Sequence, residues 1–124
     1  MFVGKKSKVV VLKDLNGESF GDIVELVTGF SFPSVSVARV YLEGPDIIHY
    51  HVRGTEIYIA EKGEGELFYK DAIFPFKEGD RVEILPHELH AARPKPGTLL
   101  VFLCVSSSAF DPADVYIHPK GRDW

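Results

Sequence analysis

Four residues of this sequence have the types and spacing to hold a metal ion. His49, His51 and Glu56 lie in the stretch GPDIIHYHVRGTEIYIAEKG from Gly44 to Gly63, and His90 follows further on. Side chains two apart on a strand point to one face, so His49 and His51 aim two imidazoles at the same point while Tyr50 turns the other way. Glu56 has the wrong parity for the same unbroken strand. Arg53 and Gly54 supply a turn, after which the chain is expected to return as a β-hairpin with Glu56 beside the histidines. Three imidazoles and one carboxylate form a borderline donor set. It suits one divalent transition ion (Mn, Fe, Co, Ni, Cu or Zn) and disfavours Ca or Mg, which prefer all-oxygen shells. A six-coordinate ion so held keeps open positions for water or substrate, as a Lewis acid or an oxygen-activating centre requires.

The elements that must position these groups are short strands. Residues 8–13, 22–28, 35–42, 47–52, 55–61, 67–69, 73–76, 81–85 and 98–105 are apolar or alternating runs. They are punctuated by Asn16 and Gly17, Gly29, Pro33 and Ser34, Gly44 and Pro45, Gly63 and Gly65, and Pro94 to Gly97. No helix of useful length fits, and no repeat of solenoid period is present, so the pattern predicts an all-β antiparallel sandwich or barrel in a single domain. Residues 98–105 are apolar on both faces and should lie buried. In residues 35–42 either face, one carrying Arg39 and the other Ala38 and Val40, could look inward. In the tail, Asp111 followed by Pro112 is a helix N-cap with proline at the first helical position, enough for one or two turns. Trp124 reads as a packed or partner-facing anchor.

Composition narrows the function classes. The 124 residues have room for one domain with a proper core, and 45% hydrophobic content supports a folded chain. A net charge of −4 with scattered basic residues argues against nucleic-acid binding. Met1 to Lys8 is basic, but the apolar run after it is too short for a signal-peptide core, and no stretch could span a bilayer as a helix. The one cysteine, Cys104, sits in an apolar run and reads as a small buried hydrophobe, so a reducing cytoplasm is the expected location.

The HxH pair, the glutamate five positions on and Gly63 seven beyond it resemble the first cupin motif. GDRVEILPHELH, from Gly79 to His90, is similar to the second, in which a Gly-Asp turn opens a strand that ends at a proline and a ligating histidine, and the two cover about half the chain in the expected order. The resemblance implies a double-stranded β-helix, or jelly-roll barrel, spanning about residues 35–105. It places strand 8–13 at a homodimer interface, leaves residues 106–124 as a tail, and gives His49, His51, Glu56 and His90 as ligands of one metal ion. It also implies a small-molecule ligand. A metal-dependent enzyme of the sugar or sugar-phosphate isomerase type is favoured over an Fe(II) dioxygenase or a non-catalytic binding or sensing module. Two positions depart from the usual second motif: Glu88 stands where glycine is common and Pro94 where asparagine is.

Near the metal, Tyr58 shares the face of Glu56 and either hydrogen-bonds a bound substrate oxygen or packs in the core. Glu88 either faces solvent in its turn or offers a second carboxylate as a proton acceptor. Arg39 either seeks an anion, including one on a ligand, or points outward. Phe74, Phe76 and Phe102 either line a pocket or form core. His87 and His118 read as surface or turn residues, although a tail folded over the barrel mouth would bring His118 closer.

Overall fold

The computed structural model describes residues 8–14, 16–27 and 34–124. Most of the basic leader Met1 to Lys8, residue Thr28 and the breakers Gly29 and Pro33 fall outside them. The strands are β1 (Lys8–Lys13), β2 (Ser19–Val27), β3 (Ser36–Leu42), β4 (His49–Tyr50), β5 (Thr55–Lys62), β6 (Glu64–Tyr69), β7 (Ala72–Lys77), β8 (Arg81–Ile84), β9 (His90–Pro94), β10 (Leu100–Ser107) and β11 (Tyr116–Ile117). They form two sheets, one of six strands in the order β1-β2-β3-β10-β5-β8 and one of five in the order β11-β4-β9-β6-β7. Every pairing is antiparallel. The architecture is the all-β, single-domain jelly roll that the strand pattern and motifs predict. Among the described residues no helix is long and apolar enough to cross a membrane.

Period-two burial builds the interior. In β5, Glu56, Tyr58 and Ala60 are buried while Thr55, Ile57 and Ile59 are only half-buried. Register carries this inner face across the larger sheet, since Ala60 pairs with Phe102 and Phe102 with Val40. These residues join Phe20, Leu42, Leu67, Phe76, Ile84, Ala92 and Leu100 in one core between the sheets. β10 lies between β3 and β5, and its first three residues are all buried, as a run apolar on both faces requires. Arg39 takes the opposite face of β3 and bonds Glu61 through Nε at 2.7 Å.

A smaller core of Ile48, Phe68 and Ala91 packs with Leu89 and Trp124. The Trp124 indole donates to the Asp46 carbonyl at 2.9 Å and its ring meets Phe68 edge-on, while the Arg93 guanidinium lies 4.4 Å above it. The tail is therefore docked along its length. Asp111 caps a single 3-10 turn, Pro112–Asp114, and β11 pairs with β4.

Two local expectations are corrected. Residues 47–52 do not form a long strand hairpinned to 55–61. β4 is only His49–Tyr50 and belongs to the five-stranded sheet, whereas β5 belongs to the six-stranded one. The carboxylate of Asp114 takes the amides of Val52 and Arg53 at 2.9 and 3.0 Å, which draws those residues out of the ladder and lets the chain cross between sheets. His90 does not end the strand of the second motif. It opens β9, after Pro86 to Leu89 have carried the chain across in the same way.

Candidate metal centre

Both ligand motifs therefore sit where the chain changes sheet. His49 pairs directly with His90 on β4 and β9, His51 follows β4, and Glu56 reaches the cluster from β5 in the facing sheet. One ligand atom from each of the four lies within 4.8 Å of the other three. The ring centroids of His49 are 5.0 Å from His51 and 4.3 Å from His90. His51, Glu56 and His90 are buried and His49 is half-buried.

Each imidazole is oriented by a backbone carbonyl. His49 Nδ1 donates to Ile47 O at 2.7 Å, His51 Nδ1 to Asp114 O at 2.8 Å and His90 Nδ1 to Glu88 O at 2.9 Å. A carbonyl only accepts, so the proton sits on Nδ1 in all three and the Nε2 atoms are turned toward the cluster. Glu56 Oε1 faces them, 2.8 Å from His51 Nε2 and 3.0 Å from His90 Nε2. His51 Nε2 is buried and, despite that proximity, is misaligned for a hydrogen bond and has no partner. Inward lone pairs facing a carboxylate oxygen repel unless a cation lies among them.

Burial and mutual charge set the protonation of each group. Burial, then the neighbouring His90, pushes His49 down to about 3, so its imidazole is neutral at ordinary pH, the form that can bind a metal. Burial opposes ionisation of Glu56, but the adjoining His51 and His90 rings outweigh it and hold the carboxyl well below its usual range. Burial likewise opposes protonation of His51, and the Glu56 carboxylate more than compensates, raising its pKa.

No protein-family model matches the chain. An uncharacterized protein of Aquifex aeolicus is 25% identical over 116 residues, which span 92% of this chain and 95% of that one. Among solved structures, a variant of Streptomyces Pac13 with uridine bound superposes with a TM-score of 0.75 at 18% identity, covering 95% of this chain and 92% of its own. Pac13 is described as a nucleoside dehydratase. A cupin-like protein of Thermotoga maritima gives 0.63 at 28% identity over 71% of this chain and 70% of its own. The chain has a cupin-type fold.

The residues beside the cluster take different places. Tyr58 is buried, its ring edge-on to His90 at 5.6 Å and tilted against Phe102 at 4.6 Å. Arg39, paired with Glu61 on the outer face, does not join the cluster. The Glu88 carboxylate does not join the cluster: it takes Tyr69 Oη, Leu85 N and Lys70 Nζ at 2.6, 2.7 and 2.7 Å and so ties down its own turn. Only its carbonyl touches a cluster residue. Phe76 and Phe102 are core, whereas Phe74 is 47% exposed and lines nothing inside. His87 is an exposed residue stacked beside Tyr50, and His118 bonds within its own turn through Nδ1.

Three participants were not evident from the sequence. Asp114 supplies the carbonyl that orients His51. Cys104 Sγ lies 2.9 Å from Glu56 Oε2, and Ser106 Oγ lies 3.4 Å from the same oxygen. The signal for the last two is parity: Cys104 and Ser106 share the inward face of β10 with Phe102. Burial, then the Glu56 charge, raises the Cys104 thiol well above its usual range and keeps it protonated. A cleft of about 10 Å³ touches the cluster between His51, Glu56, Ser106, Ser108, Phe110 and Asp114. A larger open groove of about 450 Å³, running from Lys70 to Leu89, contains none of the four ligands.

An orphaned buried imidazole nitrogen, three inward-facing Nε2 atoms and a carboxylate fit a divalent transition ion, and the cluster has the donor set to bind one.

Proposed function

We propose that the chain is a metal-dependent enzyme acting on a small, oxygen-rich metabolite. Its chemistry is non-oxidative: isomerisation of a sugar or sugar phosphate, or elimination of water from a related molecule. The observation that carries this reading is the convergence of three Nε2 atoms and Glu56 Oε1, each set by a second bond. The similarity to Pac13, a nucleoside dehydratase that has been seen with uridine, supports the elimination branch. His49, His51, Glu56 and His90 would hold the ion, which supplies Lewis acidity toward a carbonyl or hydroxyl oxygen. The protein's own groups orient the ligands through Ile47, Asp114 and Glu88, and Tyr58 and Phe102 wall the apolar side of the cluster.

The test is a metabolite screen with the metal-free protein reloaded with Mn, Fe, Co, Ni, Cu or Zn in turn, with and without oxygen. The reading predicts anaerobic turnover of a sugar, sugar phosphate or nucleoside that is lost in Glu56→Gln. Turnover only with Fe(II) and oxygen would make the protein a dioxygenase. Tight binding without conversion at full metal loading would make it a binding module.

The same reading includes a homodimer. β1 is an edge strand whose Val9 and Val11 are 60% and 50% exposed, an apolar edge that a second copy would cover.

A further inference from the structure

The two oxygens of Glu56 have different surroundings. Oε1 faces the imidazoles, at 2.8 Å from His51 Nε2 and 3.0 Å from His90 Nε2. Oε2 faces β10, where the Cys104 thiol donates to it at 2.9 Å and the Ser106 hydroxyl at 3.4 Å. Strand register makes this arrangement rigid, since Ser106 lies directly opposite Glu56 and Cys104 opposite Tyr58. Cys104 itself does not belong to the group of ligand atoms that lie within 4.8 Å of one another. Its sulfur meets the carboxylate from behind.

We propose that Cys104 is a positioning residue: with Ser106 it occupies the outer oxygen of Glu56 and restricts that carboxylate to a single bond, through Oε1, toward the ion. The inference rests on the metal-binding reading above and adds a role for the thiol. A glutamate free to rotate can chelate through both oxygens and fill a position that substrate needs. Two donors on Oε2 oppose that rotation, because chelation would break both bonds. The unpartnered Nε2 of His51, buried and aimed into the same cluster, shows that the opposite side of the carboxylate is the one left for a cation.

Water-proton relaxation of the Mn(II)-saturated protein tests this, because it counts the exchangeable waters on the ion whether or not any reaction occurs. Wild type and Cys104→Ser are expected to agree, since the serine hydroxyl still donates. Cys104→Val removes the donor at similar volume, Oε2 swings in, and the inner-sphere relaxivity falls by roughly half as about one of two open positions of a six-coordinate ion is filled. Ser106→Ala moves it the same way by less. Should Cys104→Val not fold, Cys104→Ala takes its place. Equal relaxivity in all four proteins overturns the assignment. A wild type that binds no Mn(II), Co(II) or Zn(II) overturns the metal-binding reading and this inference together, and that outcome is read from the wild type alone.

Discussion

At the scale of single residues, the site is a set of groups whose ordinary charges have been rearranged by burial and by one another. His49 is neutral, Glu56 is ionised, and each Nδ1 is tied to a carbonyl. Asp46 lies just outside the cluster. It is half-buried, its Oδ1 accepts from the Ile47 amide at 2.7 Å, and burial pushes its carboxyl from 3.8 up to about 6. A pKa raised on folding means that the folded state holds the proton more tightly. The stabilisation is thus complete below pH 3.8 and is lost as pH rises through about 6. At roughly 1.4 kcal/mol per unit the loss is about 3 kcal/mol at most. Asp46→Asn keeps an accepting oxygen and does not titrate. In metal-free protein it is expected to match wild type in urea stability near pH 4 and to exceed it above pH 7. A difference that is the same at both pH values would contradict the assignment.

At the scale of elements, the sheet crossings matter more than the strands. The tail segment around Asp114 straps the first crossing: its carboxylate takes two loop amides and its carbonyl takes His51 Nδ1. Asp114→Ala strands those amides in a part-buried loop, at a cost of roughly 1–3 kcal/mol. The variant keeps the backbone carbonyl that accepts from His51 Nδ1, so metal binding should weaken only through the shift of that carbonyl as the strap loosens, by less than the roughly 10- to 100-fold that outright loss of an orienting contact costs. Thermal unfolding and metal titration read the two effects separately, and unchanged affinity in a folded variant would contradict the strap. Period-two alternation, turn residues and the HxH spacing made the strands and the metal cluster legible in the sequence. The sheet to which each strand belongs was not legible. A hairpin and a crossing both bring Glu56 toward the histidines, and only a carboxylate more than fifty residues away decides between them. Cys104 was missed for a related reason: a thiol in an apolar strand has the same pattern as any small hydrophobe, and its partner is fixed by register between β5 and β10. The Glu88 side chain was open in the sequence because its partners Tyr69 and Lys70 lie at the end of β6 and in the turn after it.

At the scale of the whole molecule, a closed interior stands beside an exposed apolar edge strand. The core around Phe76 and Phe102 is sealed, while β1 ends the larger sheet with valines in solvent. Sedimentation equilibrium is expected to give a dimer that Val9→Lys with Val11→Lys converts to monomer, and a monodisperse monomeric wild type would contradict the homodimer. Everything proposed for the interior depends on one ion at the meeting of the two sheets. The most direct test is elemental analysis of protein purified without added metal. The account predicts close to one transition-metal ion per chain in wild type and a large loss in both His49→Ala and Glu56→Gln. Wild type that carries no such ion and takes up none of Mn(II), Co(II) or Zn(II) on titration would contradict it.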